Sequence, residues 1–311
     1  MKLGIKVGPS RNNEHDIEET HPAFVEVWFD ITKADDYDDL FSYLDKQHIP
    51  FGLHFWGKTR DGIWPTIAYP DASIIKESMN LMRETIDITA RHNGLYVNIH
   101  PSPYAKITVD YPKQRYTVLT PPSDLPAATH RFMDNVLQIS AYAKDHNVLL
   151  TIETTSLRVA NRWIDDPVDS RSHAFPIFEL PIAVFPEIQK HGLAIANDFG
   201  HTASSMISDD PNAVRQYLTE KTQEFLPSTK LLHLGFIIPP YSGMDFHDEL
   251  DNPIFDTQKA IPDKNQFLEL LKLFSKQPDV LALVEPRLNH AKNFFLAQKL
   301  LLDAGVLDPR N

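Results

Sequence analysis

Eight short apolar or β-branched runs recur along the chain, most of them separated by stretches with helical periodicity. They are Leu3 to Val7, Phe24 to Phe29, Phe51 to Phe55, Leu95 to Ile99, Val148 to Ile152, Leu193 to Ala196, Leu231 to Leu234 and Val280 to Val284. Such short, nearly continuous apolar runs suit strands buried on both faces of a parallel sheet. Helical spacing is clearest at Ile75, Met79, Met82 and Ile86, at Phe132, Val136, Ile139 and Ala143, and in the run Phe267 to Phe274. Gly305 supplies a stop for the last helix. Strands alternating with helices eight times predict an α/β chain closed into a (β/α)8 TIM barrel rather than an open doubly wound sheet. No glycine-rich loop of the GxGxxG or GxxxxGKS type follows any run, which weakens a nucleotide-binding alternative.

The first repeat is the weakest, because Pro9 to Pro22 is polar and only marginally helical. Two connections are long, 101–126 and 154–181, and are predicted to lie as loops over the C-terminal face, where long loops are usually functional. No linker or low-complexity stretch interrupts the 311 residues, so 1–311 reads as a single barrel domain. Acidic residues outnumber basic ones, 42 to 30, and the net charge of −12 disfavours nonspecific polyanion binding through bulk charge. Without cysteine there is no disulfide, thiolate ligand or thiol nucleophile, so a metal site must draw on His, Asp and Glu. The N-terminal MKLGIKVGPS lacks an apolar signal core and no run is long enough to span a membrane. The expectation is a cytoplasmic protein with no membrane partner and no evident obligate protein partner.

Barrel active sites lie where the C-terminal strand ends converge. Those ends here are Leu53-His54, Asn98-Ile99-His100, Thr151-Ile152-Glu153, Ala196-Asn197-Asp198, Leu232-His233 and Val284-Glu285. Six consecutive strands thus deliver an imidazole or a carboxylate, and period-two alternation turns residues such as Glu153 inward beside Thr151. His201 lies one turn beyond Asp198, and the loop after His233 adds Asp245 and His247. Any one of these residues alone is more often structural. Five imidazoles and four carboxylates at one mouth, however, would repel or stay poorly solvated without cations, so a cluster of divalent metal ions is the natural inference.

The set NIHPSP (98–103), TIETTS (151–156), NDFGHT (197–202), LLHLG (231–235), DFH (245–247) and VEP (284–286) resembles endonuclease IV, within the xylose-isomerase-like barrel superfamily. The resemblance implies up to three metal ions, zinc in that family, although donors of this kind also accept manganese or another divalent ion. It implies that His54, His100 and Glu153 hold one ion, with Glu153 bridging to a second on Asp198, His233 and Glu285, and that His201, Asp245 and His247 hold the third. Glu153 and Glu285 would then be catalytic, positioning a metal-bound hydroxide for phosphodiester hydrolysis. The chain departs from the family after His247, where Asp248-Glu249-Leu250-Asp251-Asn252-Pro253 replaces a glycine-bearing segment, and at His233-Leu234-Gly235-Phe236, where an acidic residue is usual.

Two substrate classes follow. One is abasic-site DNA or a related phosphoester, cleaved by a hydrolase; the other is a small sugar or sugar phosphate, processed by an isomerase or epimerase using one metal on Glu153, Asp198, His233 and Glu285. A noncatalytic ligand-binding barrel is a third, less economical reading. Trp56, in an aromatic and basic loop, is a candidate stacking surface. Arg158 is a candidate phosphate ligand, as are Lys106, Lys113, Arg115, Arg162 and Arg171. Lys6 lies inside a strand, where its charge needs either an anionic substrate or a site carboxylate.

Overall fold

The computed structural model describes residues 1–9, 12–110, 115–160, 174–245, 248–286 and 288–307. All eight apolar runs are barrel strands: β1 (Lys2–Val7), β2 (Phe24–Asp30), β3 (Phe51–Trp56), β4 (Tyr96–Ile99), β7 (Leu149–Glu153), β10 (Ala194–Asp198), β11 (Thr229–His233) and β12 (Leu281–Val284). They close in the order β1-β12-β11-β10-β7-β4-β3-β2 with every pair parallel. The long connections are more than loops. Each carries an antiparallel hairpin, β5 (Ile107–Asp110) with β6 (Arg115–Val118), and β8 (Arg158–Ala160) with β9 (Ala174–Pro176). Both hairpins contribute to one small apolar cluster, in which Ile107, Val109 and Tyr116 join Val159 and Ile177 around Trp64.

Helices form where periodicity is strongest, over Ala72–Arg91, Leu125–Asp145, Lys264–Leu273 and His290–Asp303. Aspartates start three of them: Asp71 accepts from the amides of Ser73 and Ile74, Asp124 from Ala127, and Asp263 from Asn265 and Gln266. Even the polar first repeat supplies a helix, Asn12–Thr20, which buries Ile17. No helix of the described residues is long and apolar enough to cross a membrane.

The barrel interior is layered. Phe24, Tyr96, Ala196, Leu231 and Leu283 form an apolar layer toward the bottom. Two residues further along the strands, the alternation brings Lys6, Glu26, His54, Asn98, Glu153, Asp198, His233 and Glu285 inward as a polar layer. Register pairs His54 with Asn98 and Asp198 with His233, but sets Glu26 against Gly52, Glu153 against Ala196 and His233 against Leu283, so the polar side chains are staggered around the barrel. Gly52 makes room for the Tyr96 ring beneath His54, since a Cβ there would overlap that ring. Gly52→Ala therefore forces Tyr96 aside and should cost ~1–3 kcal/mol of stability, as overpacking of a dense core does. Denaturant unfolding checks this, and an unchanged midpoint would show that the ring has room to move.

Candidate metal centre

The structure gathers eight of the nine sequence-derived donors in and around the polar layer; the ninth, His247, lies outside the described residues, as do Lys113, Arg162 and Arg171. Donor atoms of His54, His100 and Glu153 lie within 4.8 Å of one another, and so do those of Glu153, Asp198 and His233. Glu285 joins the second group, its Oε2 3.4 Å from His233 Nδ1. His201 Nε2 stands 3.2 Å from Asp245 Oδ1, the two described members of a third group.

Local structure aims each donor. Asp198 ends β10 and caps the helix Phe199–Ser204: Oδ1 accepts from the His201 amide at 2.7 Å, while Oδ2 faces His233 Nδ1 at 3.5 Å. That cap also brings His201 over the site, where its Nδ1 donates to the Thr154 carbonyl at 2.8 Å and leaves Nε2 toward Asp245. Glu153 Oε2 accepts from Asn98 Nδ2, and Thr151 Oγ1 fixes the sense of that amide by donating to Asn98 Oδ1 at 2.9 Å. Arg158 contributes through its backbone: its N–H donates to the Gly243 carbonyl at 2.8 Å, and its carbonyl accepts from the Asp245 amide at 2.7 Å. The hairpin after β7 thereby holds the segment that carries Asp245.

Two of the imidazoles, His100 and His233, meet a test for metal binding. A ligating histidine normally gives its second nitrogen to an acceptor outside the donor cluster. His100 Nδ1 pairs with Glu179 Oε1 at 3.1 Å, and His233 Nε2 with Glu26 Oε2 at 3.3 Å. The nitrogens that then face inward, His100 Nε2 and His233 Nδ1, are buried and make no hydrogen bond. Glu153 Oε1 and His54 Nε2 share that condition. Buried polar atoms are rarely left so, and four of them converging among carboxylates fit divalent cations.

Charge follows the same geometry. Burial pulls the His233 imidazole down, but Glu153 and Glu26 beside it hold it well above the usual imidazole range. His201 is held up likewise by Asp198 and Asp245 against its burial. Burial would raise Glu153, yet His233 and His54 keep it well below ordinary carboxylates. His54 alone among these imidazoles is lowered, by burial and by the Lys6 ammonium.

Lys6 is engaged by carboxylates, 2.6 Å from Glu26 Oε1 and 3.1 Å from Glu285 Oε1. It also lines a cavity of about 370 Å³ beside β1 and β12, together with Trp28, Glu285, Pro286 and His290. Trp56 stands between Trp28 and Trp64, ring centroids 5.8 and 5.7 Å away, and lies 5.3 Å from the His100 ring. Those contacts make it a wall of the site. Lys106 pairs with Asp71 at 2.9 Å, and Arg115 is exposed on β6.

Sequence reasoning missed two carboxylates. Glu26 is fully buried inside FVEVWF, and the argument that singles out Lys6, a charge within an apolar strand, applies to it equally. Glu179 carries no such signal. It reaches His100 because the Leu180 amide donates to the Pro101 carbonyl at 3.0 Å.

Comparison with known proteins supports the architecture. No protein-family model and no curated protein matches the sequence. Among solved structures, a D-tagatose 3-epimerase-like protein superposes with a TM-score of 0.65 at 14% identity, covering 98% of each chain. Endonuclease IV from Thermus thermophilus gives 0.56 at 13% identity, over 97% of this chain and all 100% of that one. A 3-keto-D-glucoside 4-epimerase from E. coli gives 0.59 at 12%, over 97% and 99%. The fold this chain shares with them is the closed parallel (β/α)8 barrel. Likeness at such low identity carries the fold alone, and it sets epimerases beside endonuclease IV without choosing between them.

Proposed function

We propose that this chain is a metal-dependent phosphodiester hydrolase resembling endonuclease IV, with abasic-site DNA as the first substrate to assay. The observation that carries this reading is the pair of donor groups sharing Glu153, since a one-metal isomerase needs only the second group. His54, His100 and Glu153 would hold one ion; Glu153, Asp198, His233 and Glu285 a second; His201, Asp245 and His247 a third. Bound there, divalent ions, zinc by the resemblance, would supply Lewis-acid stabilisation of the attacking and leaving oxygens. The chain's own share is orientation. Asn98 holds Glu153 and the Thr154 carbonyl holds His201, while Trp56 closes the side of the site near His54 and His100.

One observation favours a second reading. The carboxylates of Glu153 and Glu285 approach His233 Nδ1 from β7 and from the end of β12, at 3.3 and 3.4 Å. A carboxylate pair about one metal can move protons at a sugar carbon, and epimerases share this fold. Metal content and substrate separate the two. The hydrolase reading expects close to three metals per chain in protein purified without added metal, and cleavage of an abasic-site duplex that weakens steeply as salt rises. About one metal, no cleavage, and exchange of a ketose carbon-bound hydrogen with deuterated solvent would replace it with the epimerase reading.

A further inference from the structure

Beneath the donors lies a buried group with no assigned role. Glu26 Oε1 takes the Lys6 ammonium at 2.6 Å, and Oε2 accepts from the Tyr96 hydroxyl at 2.9 Å and pairs with His233 Nε2 at 3.3 Å. Lys6 Nζ also lies against His54 Nδ1, at 2.5 Å. The pair thus touches one imidazole from each of the two donor groups that share Glu153.

The consequences for those imidazoles are opposite. An ammonium only donates, so His54 Nδ1 accepts from Lys6 and the proton of this neutral ring sits on Nε2, the nitrogen facing Glu153 at 3.6 Å. A carboxylate accepts, so His233 keeps a proton on Nε2 toward Glu26, and Nδ1, which a cation needs only to deprotonate with no shift of the other proton, is the nitrogen presented to Asp198, Glu153 and Glu285. We propose that the Lys6–Glu26 pair ranks the two donor groups: it prepares the His233 group for a divalent cation and holds the His54 group back until Lys6 withdraws from Nδ1. The inference rests on the multi-metal reading above. When the His54 group fills, the Nε2 proton leaves for solvent and one from solvent enters Nδ1, so the ring stays neutral. Glu26 Oε1, 3.3 Å from Nδ1, is the acceptor in place for the relocated proton. Lys6 and Glu26 are positioning residues in this scheme, acting on the metals only through the histidines.

The test is a Zn²⁺ titration of chelator-treated protein against a competing chromophoric chelator. Among the ions wild-type protein takes up, one tight step should vanish in Asp198→Asn, and a step at least tenfold weaker should vanish in His100→Asn. Equal affinities, or a single ion bound, would overturn the ranking. Lys6→Met frees Glu26 to accept from His54 Nδ1, and the weaker step should tighten tenfold or more relative to the tight one. Loss of a positive charge by itself would strengthen both steps alike, so parallel gains, or none, also count against the proposal. Nitrogen NMR of the metal-free wild type needs no variant to fold: a proton on His54 Nε2 supports the arrangement, and one on Nδ1 overturns it. None of these readouts involves substrate, so failure to cleave a phosphodiester leaves this result independent.

Discussion

Glu153→Gln should abolish turnover, lowering it by about 10³-fold or more while the circular dichroism spectrum stays that of the folded chain. Loss of a single electrostatic stabiliser already costs on the order of 10²–10³-fold. Glu153 is worth more because both described donor groups use it. Its Oε1 lies 3.1 Å from His201 Nδ1 and 3.3 Å from His233 Nδ1, and its Oε2 lies 3.6 Å from His54 Nε2. Glutamine keeps the shape but removes the charge and sets an NH₂ against either Asn98 Nδ2 or the imidazoles, where only donors stand. Bound metal should fall together with activity, by two ions under the multi-metal reading and by one under the epimerase reading. Wild-type metal content and wild-type turnover in this variant would remove Glu153 from the centre of the site.

Why the strand-end argument reaches Glu153 and passes over Glu26 is a matter of position along the strand. Residues such as Glu153, Asp198 and His233 terminate apolar runs, and a parallel barrel turns every such terminus to one face. Glu26 sits midway along β2, below that face, where the same alternation buries it under the donors. The choice of nitrogen on each imidazole is harder still to read. It depends on acceptors remote in sequence: Glu179 for His100, 79 positions away, and Glu26 for His233, 207 positions away. The hairpins escaped for another reason. Strands of three and four residues are too short for period-two alternation to stand out, and they are held by the cluster around Trp64 rather than by their own patterning. Arg158 shows the result, since its placement there fixes Asp245 through the backbone, which residue type does not reveal.

Stripping metal with a chelator should destabilise the protein, and by an amount that grows with pH. Saturating metal at a thousandfold excess over its dissociation constant contributes ~4 kcal/mol. For a chain of 311 residues that corresponds to about 6 °C in Tm. The pH dependence comes from His201 and His233, both held well above the ordinary imidazole range by carboxylates that outweigh burial. In the stripped protein their imidazolium–carboxylate contacts contribute stability that is fully present below an unfolded pKa of about 6.5. That contribution is lost as pH rises through the raised folded values. Metal requires the same nitrogens unprotonated, so the stabilisation it confers increases over the same interval. Glu26 and Glu153 do not blur the comparison: their folded values are depressed, so their contribution is lost only on acidification, below the usual carboxylate range. Melting curves of loaded and stripped protein from pH 6 to 9 should therefore diverge, the stripped curve falling away as pH rises. A gap that stays constant or closes would mean that the protons on His201 and His233 do not compete with metal, and would take these two imidazoles out of the ligand set.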